Sequence, residues 1–103
     1  MWEVGDSNIE GQGIIATKNI KKGVVIGDAY DIIGEVNKKY IAGDITLLGL
    51  MHNHSDTPNA KPEMYNNTIY FEAMKYINKG EEITCDYNEY SDVLNIEKPQ
   101  DKW

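Results

Sequence analysis

Nine glycines punctuate the chain of 103 residues, recurring about every ten positions. Between them lie short runs of β-branched and aromatic residues, the pattern of many short strands joined by tight turns. Gly13–Thr17, Val24–Ala29, Tyr30–Val36 and Thr68–Met74 read as strands. Only Tyr40–Met51 and Ser91–Ile96 leave room for a helical turn or two, and the first of these ends in Leu47, Leu48, Leu50 and Met51, an apolar patch that reads as core. The expected fold class is mostly β with little helix.

An internal repeat sharpens this. Residues 16–26, Ala-Thr-Lys-Asn-Ile-Lys-Lys-Gly-Val-Val-Ile, recur at 73–83 as Ala-Met-Lys-Tyr-Ile-Asn-Lys-Gly-Glu-Glu-Ile, with Ala, Lys, Ile, Lys, Gly and Ile matched. Each copy reads as a strand, a turn whose glycine takes positive φ, and a second strand. Two copies are too few for a solenoid, which needs at least three.

Composition excludes several classes of function. A chain of this length sustains one hydrophobic core, so one domain over 1–103 is expected. All ten basic residues are lysines and none cluster, so the charge needed to grip phosphate is absent and nucleic acid is not an expected partner. The net charge of −7 favours a cationic ligand or a lysine-rich partner through steering, and serves solubility equally. Cys85 is the only cysteine and His52 and His54 the only histidines, which rules out an internal disulfide and leaves no ligand set for a structural zinc. No metal is expected. No apolar run approaches the ~20 residues of a membrane span, and no basic segment leads into an apolar one at the N-terminus. The expected setting is cytoplasmic, without membrane association.

Chemistry is concentrated in three places. Ser7-Asn8-Ile9-Glu10-Gly11-Gln12-Gly13 is a glycine-rich turn that lets a ligand approach the main chain, but it has neither a dinucleotide fingerprint nor a phosphate loop. Asn53-His54-Ser55-Asp56-Thr57-Pro58-Asn59 is the densest polar stretch; Asn, Ser and Asp bond locally to the main chain, so it reads as an irregular loop. Within it Asn53-His54 sets an amide beside an imidazole. Gly80-Glu81-Glu82-Ile83-Thr84-Cys85-Asp86-Tyr87 brings a phenol to the end of a short strand, where a hydroxyl can orient an amine. Nothing in the sequence marks Cys85 as an activated thiol, and it reads as a small apolar filler.

In order and spacing these segments resemble the SET-domain lysine methyltransferases, in particular the minimal type found free-standing in bacteria and viruses. The likeness is carried by Gly11-Gln12-Gly13, by Lys18 to Ile26, by Asn53-His54-Ser55 with Pro58-Asn59-Ala60, and by Ile69 to Tyr87 with its Gly-Glu-Glu-Ile-Thr and Asp-Tyr. These motifs span residues 7–88, leaving 89–103 as a C-terminal tail.

The resemblance implies several small sheets, with the last segment passing beneath the loop at Asn53–Ser55 as a C-terminal pseudoknot. It implies S-adenosylmethionine as cofactor, lined by the main chain of Gly11, Gln12 and Gly13 and bound by Asn53 and His54. Tyr87 matches the family's catalytic tyrosine. A lysine of a protein or peptide substrate would enter from the opposite face, with Tyr30 and Tyr90 the channel candidates and Trp103 a further aromatic beyond the last motif. The family often has a tyrosine where this chain has Ala29. Tyr30 comes one residue later, and a one-residue shift turns a strand side chain to the other face unless a bulge intervenes. The zinc-binding cysteines that flank larger members are absent here. The stretch between Glu35 and Leu50, which grips the peptide in the family, is short, so a homodimer could complete the groove. Two alternatives stay open: a module that binds cofactor or a protein partner without transfer, and a methyltransferase acting on a small amine. If the source is a virus, the compartment is the host cell interior.

Overall fold

A computed structural model describes residues 1–36 and 39–87. Among these residues the strands are β1 (Trp2–Asp6), β2 (Gln12–Ala16), β3 (Val25–Val36), β4 (Lys39–Ile45), β5 (Asn53–His54), β6 (Ala60–Tyr65), β7 (Thr68–Ala73) and β8 (Glu82–Cys85), and a helix, α1 (Leu47–Met51), precedes β5. They form two four-stranded sheets, in the orders β1-β2-β8-β5 and β4-β3-β7-β6. All pairings are antiparallel except β5 with β8, which aligns Asn53 with Thr84 and His54 with Cys85. Among the described residues no helix is long and apolar enough to cross a membrane.

The repeat is what joins the two sheets. One copy runs from β2 into β3 and the other from β7 into β8, and the copies bond to each other about a local two-fold. Ile20 and Ile77 exchange both main-chain bonds, each at 2.8 Å. The Gly23 N–H donates to Ala73 O and the Gly80 N–H to Ala16 O, again both at 2.8 Å. The matched alanines and isoleucines are core residues: Ala16, Ile20, Ile26, Ala73, Ile77 and Ile83 are all buried. The matched glycines have φ of +89° and +91°. Sequence similarity therefore follows from two strands, each filling the same core position and making the same turn. Gly23→Ala and Gly80→Ala are expected to cost roughly 1–2 kcal/mol each. The two losses should agree within about 0.5 kcal/mol, with additivity expected for separate sites, as read from urea denaturation midpoints.

The structure refines four expectations. The stretches Val24–Ala29 and Tyr30–Val36 form one continuous strand, β3, interrupted by bulges. Tyr40–Met51 is helical only in its last turn; the rest is β4, because pairing with β3 satisfies its main chain. Thr46 separates the two, its Oγ1 accepting the Gly49 N–H at 3.2 Å and donating to Asp28 O at 2.6 Å, which caps the short helix. Of the leucine patch only Leu48 is fully buried, while Leu47 and Leu50 are exposed. Lastly, Asn53-His54 is not irregular, since β8 lies alongside and turns it into a two-residue parallel strand. Ser91–Ile96, Tyr90 and Trp103 lie outside the described residues.

Candidate functional site

The turn before β2 is held by its own serine. The Ser7 N–H donates to Gly11 O at 2.9 Å, and Ser7 Oγ accepts the N–H groups of Ile9 at 2.9 Å and Glu10 at 3.2 Å. The Ser7 hydroxyl in turn donates to Glu82 Oε1 at 2.6 Å. Asn53, buried on β5, reaches the turn from the other side. Its Nδ2 lies 3.2 Å from Glu10 O, 3.2 Å from Gln12 O, 3.0 Å from Ser7 Oγ and 2.8 Å from Glu82 Oε2. Four acceptors around one nitrogen identify that atom as the amide's donor end. Gly13 lies beneath this meeting point. A Cβ there would run into the Glu82 carboxylate and come within 3.0 Å of Asn53 Nδ2. Gly11, by contrast, faces open space.

Where β8 ends, Tyr87 is fixed at both of its polar groups. Its N–H donates to His54 Nδ1 at 3.0 Å, and its hydroxyl donates to His52 O at 2.8 Å. Because Nδ1 of His54 accepts, Nε2 carries the proton and donates to Asp56 Oδ1 at 2.8 Å. The His54 ring lies 5.0 Å from the Tyr87 ring. His52 is wholly buried, edge-on to Phe71 at 4.8 Å and to Tyr87 at 5.3 Å, with Nδ1 donating to Gly49 O at 2.7 Å. Burial raises the Tyr87 phenol above its ordinary value of 10.0, with Cys85, Glu10 and Glu82 adding in the same direction. The phenol therefore stays a neutral donor at physiological pH.

Tyr30 reaches the same Gly49 carbonyl, donating at 3.3 Å. Register shifts on both sides of Tyr30, toward β7 and toward β4, put a bulge in β3, and consecutive Ala29 and Tyr30 both face inward with no exposed surface. The bulge cancels the reversal that strict alternation would impose.

The structure thus brings Gly11, Gln12, Gly13 and Asn53 to one junction and His54 and Tyr87 to an adjoining one, to which Tyr30 is tied through the Gly49 carbonyl that it shares with His52. It also gives contacts to residues that the sequence names only within motifs or by count: Ser7, His52, Glu82 and Asn59. Asn59 donates through Nδ2 to Glu82 O at 2.8 Å and accepts the Thr84 N–H at 2.9 Å, so its side chain acts as a short strand partner for β8. Ser55 N–H closes the same loop on Cys85 O at 3.1 Å. An open groove of about 430 Å³, lined by Val25, Asp28, Tyr65, Asn66, Thr68 and Tyr70, contains none of these residues.

The sequence profile of the SET domain matches residues 37–88, just over half of the chain. The chain belongs to the SET-domain family. That match covers Asn53, His54 and Tyr87, while the glycine turn lies before it. Solved SET structures extend the likeness. A candidate histone methyltransferase of Plasmodium falciparum is 25% identical, with a TM-score of 0.67 over 84% of this chain and 96% of that one. The methyltransferase domain of human PR domain-containing protein 2 is 21% identical, with a TM-score of 0.65 over 96% of this chain and 80% of that one. The SET domain of the RIZ1 tumour suppressor is also 21% identical, with a TM-score of 0.61 over 84% and 69%. A search of curated protein sequences finds no significant match. The small sheets and scarce helix expected of a SET fold are those observed.

Proposed function

We propose that this SET domain transfers a methyl group from S-adenosylmethionine to the side-chain amine of a lysine in a protein partner. The observation that carries the reading is the convergence of the glycine turn, Asn53, His54 and Tyr87 on the β5–β8 pair. The methyl-transfer names of the P. falciparum and human relatives support it. So does the order of the strands, since β8 passing between β2 and β5 is the arrangement from which a C-terminal knot would be made.

The residues suit such a cofactor. Gly11 faces open space, so a ligand can lie directly on the main chain of the turn, which Asn53 holds through Glu10 O and Gln12 O. Gly11, Gln12 and Gly13 would hold it through main chain, and Asn53 and His54 from β5. When bound, it supplies an electrophilic methyl on a positively charged sulfur. The chain's own residues contribute placement and polarity. Tyr87, pinned at N–H and O–H, would supply a fixed phenol to a reaction in which alignment of nucleophile, carbon and leaving sulfur dominates the rate. A lysine amine leaving water for an apolar channel would shed its hydration shell. That favours its neutral, nucleophilic form. The acidic chain draws the cationic lysine toward the entrance.

The test is mass spectrometry after incubation with S-adenosylmethionine and lysine-containing proteins. Methyl gain on lysine is expected. Cofactor binding without methyl gain on any protein would overturn the reading in favour of a binding module, and gain confined to small amines would overturn its substrate class.

A further inference from the structure

We infer that Glu82 and Ser7 are positioning residues for the cofactor site, forming a link that holds the glycine turn in register with β8; this rests on the methyl-transfer reading above. The Glu82 main chain is fixed first. It pairs with Ile15 across the sheet, and its carbonyl accepts from Asn59. Its side chain then crosses over Gly13 through the space that the missing Cβ leaves. At the far end the two carboxylate oxygens part company, Oε1 taking the Ser7 hydroxyl and Oε2 the Asn53 amide. Ser7 passes the constraint on, since its Oγ holds the N–H groups of Ile9 and Glu10 and its own N–H holds Gly11 O. One continuous path of hydrogen bonds therefore runs from β8 to the main chain on which the cofactor would lie.

The charge of Glu82 has a reason in this geometry. Its two oxygens each face a donor, and only a carboxylate offers an acceptor at both ends. A glutamine would turn one N–H toward either the Ser7 hydroxyl or the Asn53 amide. Charge-assisted bonds of this kind are also about twice as strong as neutral ones. Neither residue need touch the reacting atoms. Their effect is on how well the turn is formed before the ligand arrives, which reduces the ordering cost of binding.

The experiment compares Glu82→Gln, Ser7→Ala and the double variant in the full chain. Amide hydrogen exchange without cofactor should accelerate at Ile9 and Glu10 in each. Calorimetric affinity for S-adenosylmethionine should fall ~10-fold in each single variant, the scale of one hydrogen bond to a charged group. The double variant should lose less than the two single losses combined, because both single variants cut the same Ser7–Glu82 bond. The cofactor KM should rise to match while kcat changes by less than about twofold, and Glu82→Asp should recover part of the loss if the carboxylate is what matters. If Glu82→Gln fails to fold, Ser7→Ala carries the same comparison from the other end of the link. Unchanged exchange and affinity would overturn the assignment, as would losses that simply add, or a fall in kcat with KM unmoved. Absence of binding heat in the unsubstituted protein would instead overturn the methyl-transfer reading. Heat there that the variants leave intact overturns the positioning role alone.

Discussion

Tyr87→Phe is expected to lower methyl-transfer turnover about 100-fold, the scale of misplacing one reacting group, while cofactor affinity stays within about twofold, well below the 1.4 kcal/mol of a tenfold change. The substitution removes only the hydroxyl that donates to His52 O and leaves the main-chain bond to His54 in place. The ring keeps its edge contact with His52, so the glycine turn is not disturbed. Folding pays a smaller share. The His52 carbonyl loses a buried donor, which costs about 1–3 kcal/mol, and each kcal/mol lowers Tm by roughly 4–8 °C in a chain of this size. Steady-state kinetics well below that Tm separate the two effects, and undiminished turnover would remove Tyr87 from the chemistry.

The same variant has a signature at high pH. Burial holds the folded-state phenol above its ordinary value of 10.0, so the unfolded chain releases this proton first. The stabilisation from Tyr87 is therefore complete below pH 10 and is lost as pH rises above it. The stability gap between the parent chain and Tyr87→Phe should narrow progressively as pH rises above about 10, measured by urea denaturation at each pH. A constant gap would show that the phenol titrates alike in both states.

What the sequence discloses and what it withholds divide by the range of the interactions. The glycine turn, Asn53-His54 and Asp86-Tyr87 are legible as motifs because each is a short contiguous run, although the partners of Asn53 and Tyr87 lie 29 to 46 residues away. The repeat is legible for the same reason, since Ala, Ile and Gly recur wherever one strand-turn-strand packs against its twin. Two strands go unread where distant pairing decides. Tyr40–Ile45 is a strand only because β3 lies beside it, and Asn53-His54 is one only because β8 arrives from thirty residues later. Ser7 and Glu82 carry no periodic signal at all; their link spans 75 residues of sequence and exists only once β8 lies against β2. Tyr30 shows the third kind of limit. A period of two places it on the wrong face, and the bulge that corrects this belongs to the register of β3 with two neighbours at once.

Asn53 is where these long-range contacts meet, and its replacement should be the most damaging to the fold and the site together. Asn53→Ala removes the donor that faces Glu10 O, Gln12 O, Ser7 Oγ and Glu82 Oε2. With only two hydrogens to give, the amide shares them among four acceptors. Its loss leaves a carboxylate oxygen turned toward carbonyl oxygens with nothing between. The expected cost is about 2–3 kcal/mol of stability, together with at least a ~10-fold loss of cofactor affinity. Asn53→Asp keeps the shape and should be worse than alanine, because it sets a second carboxylate against Glu82 where a donor belongs. The order parent, alanine, aspartate is read from urea midpoints and from calorimetry with S-adenosylmethionine. An aspartate variant as stable as the parent would mean that the side chain's shape, rather than its donor, holds the glycine turn to β5.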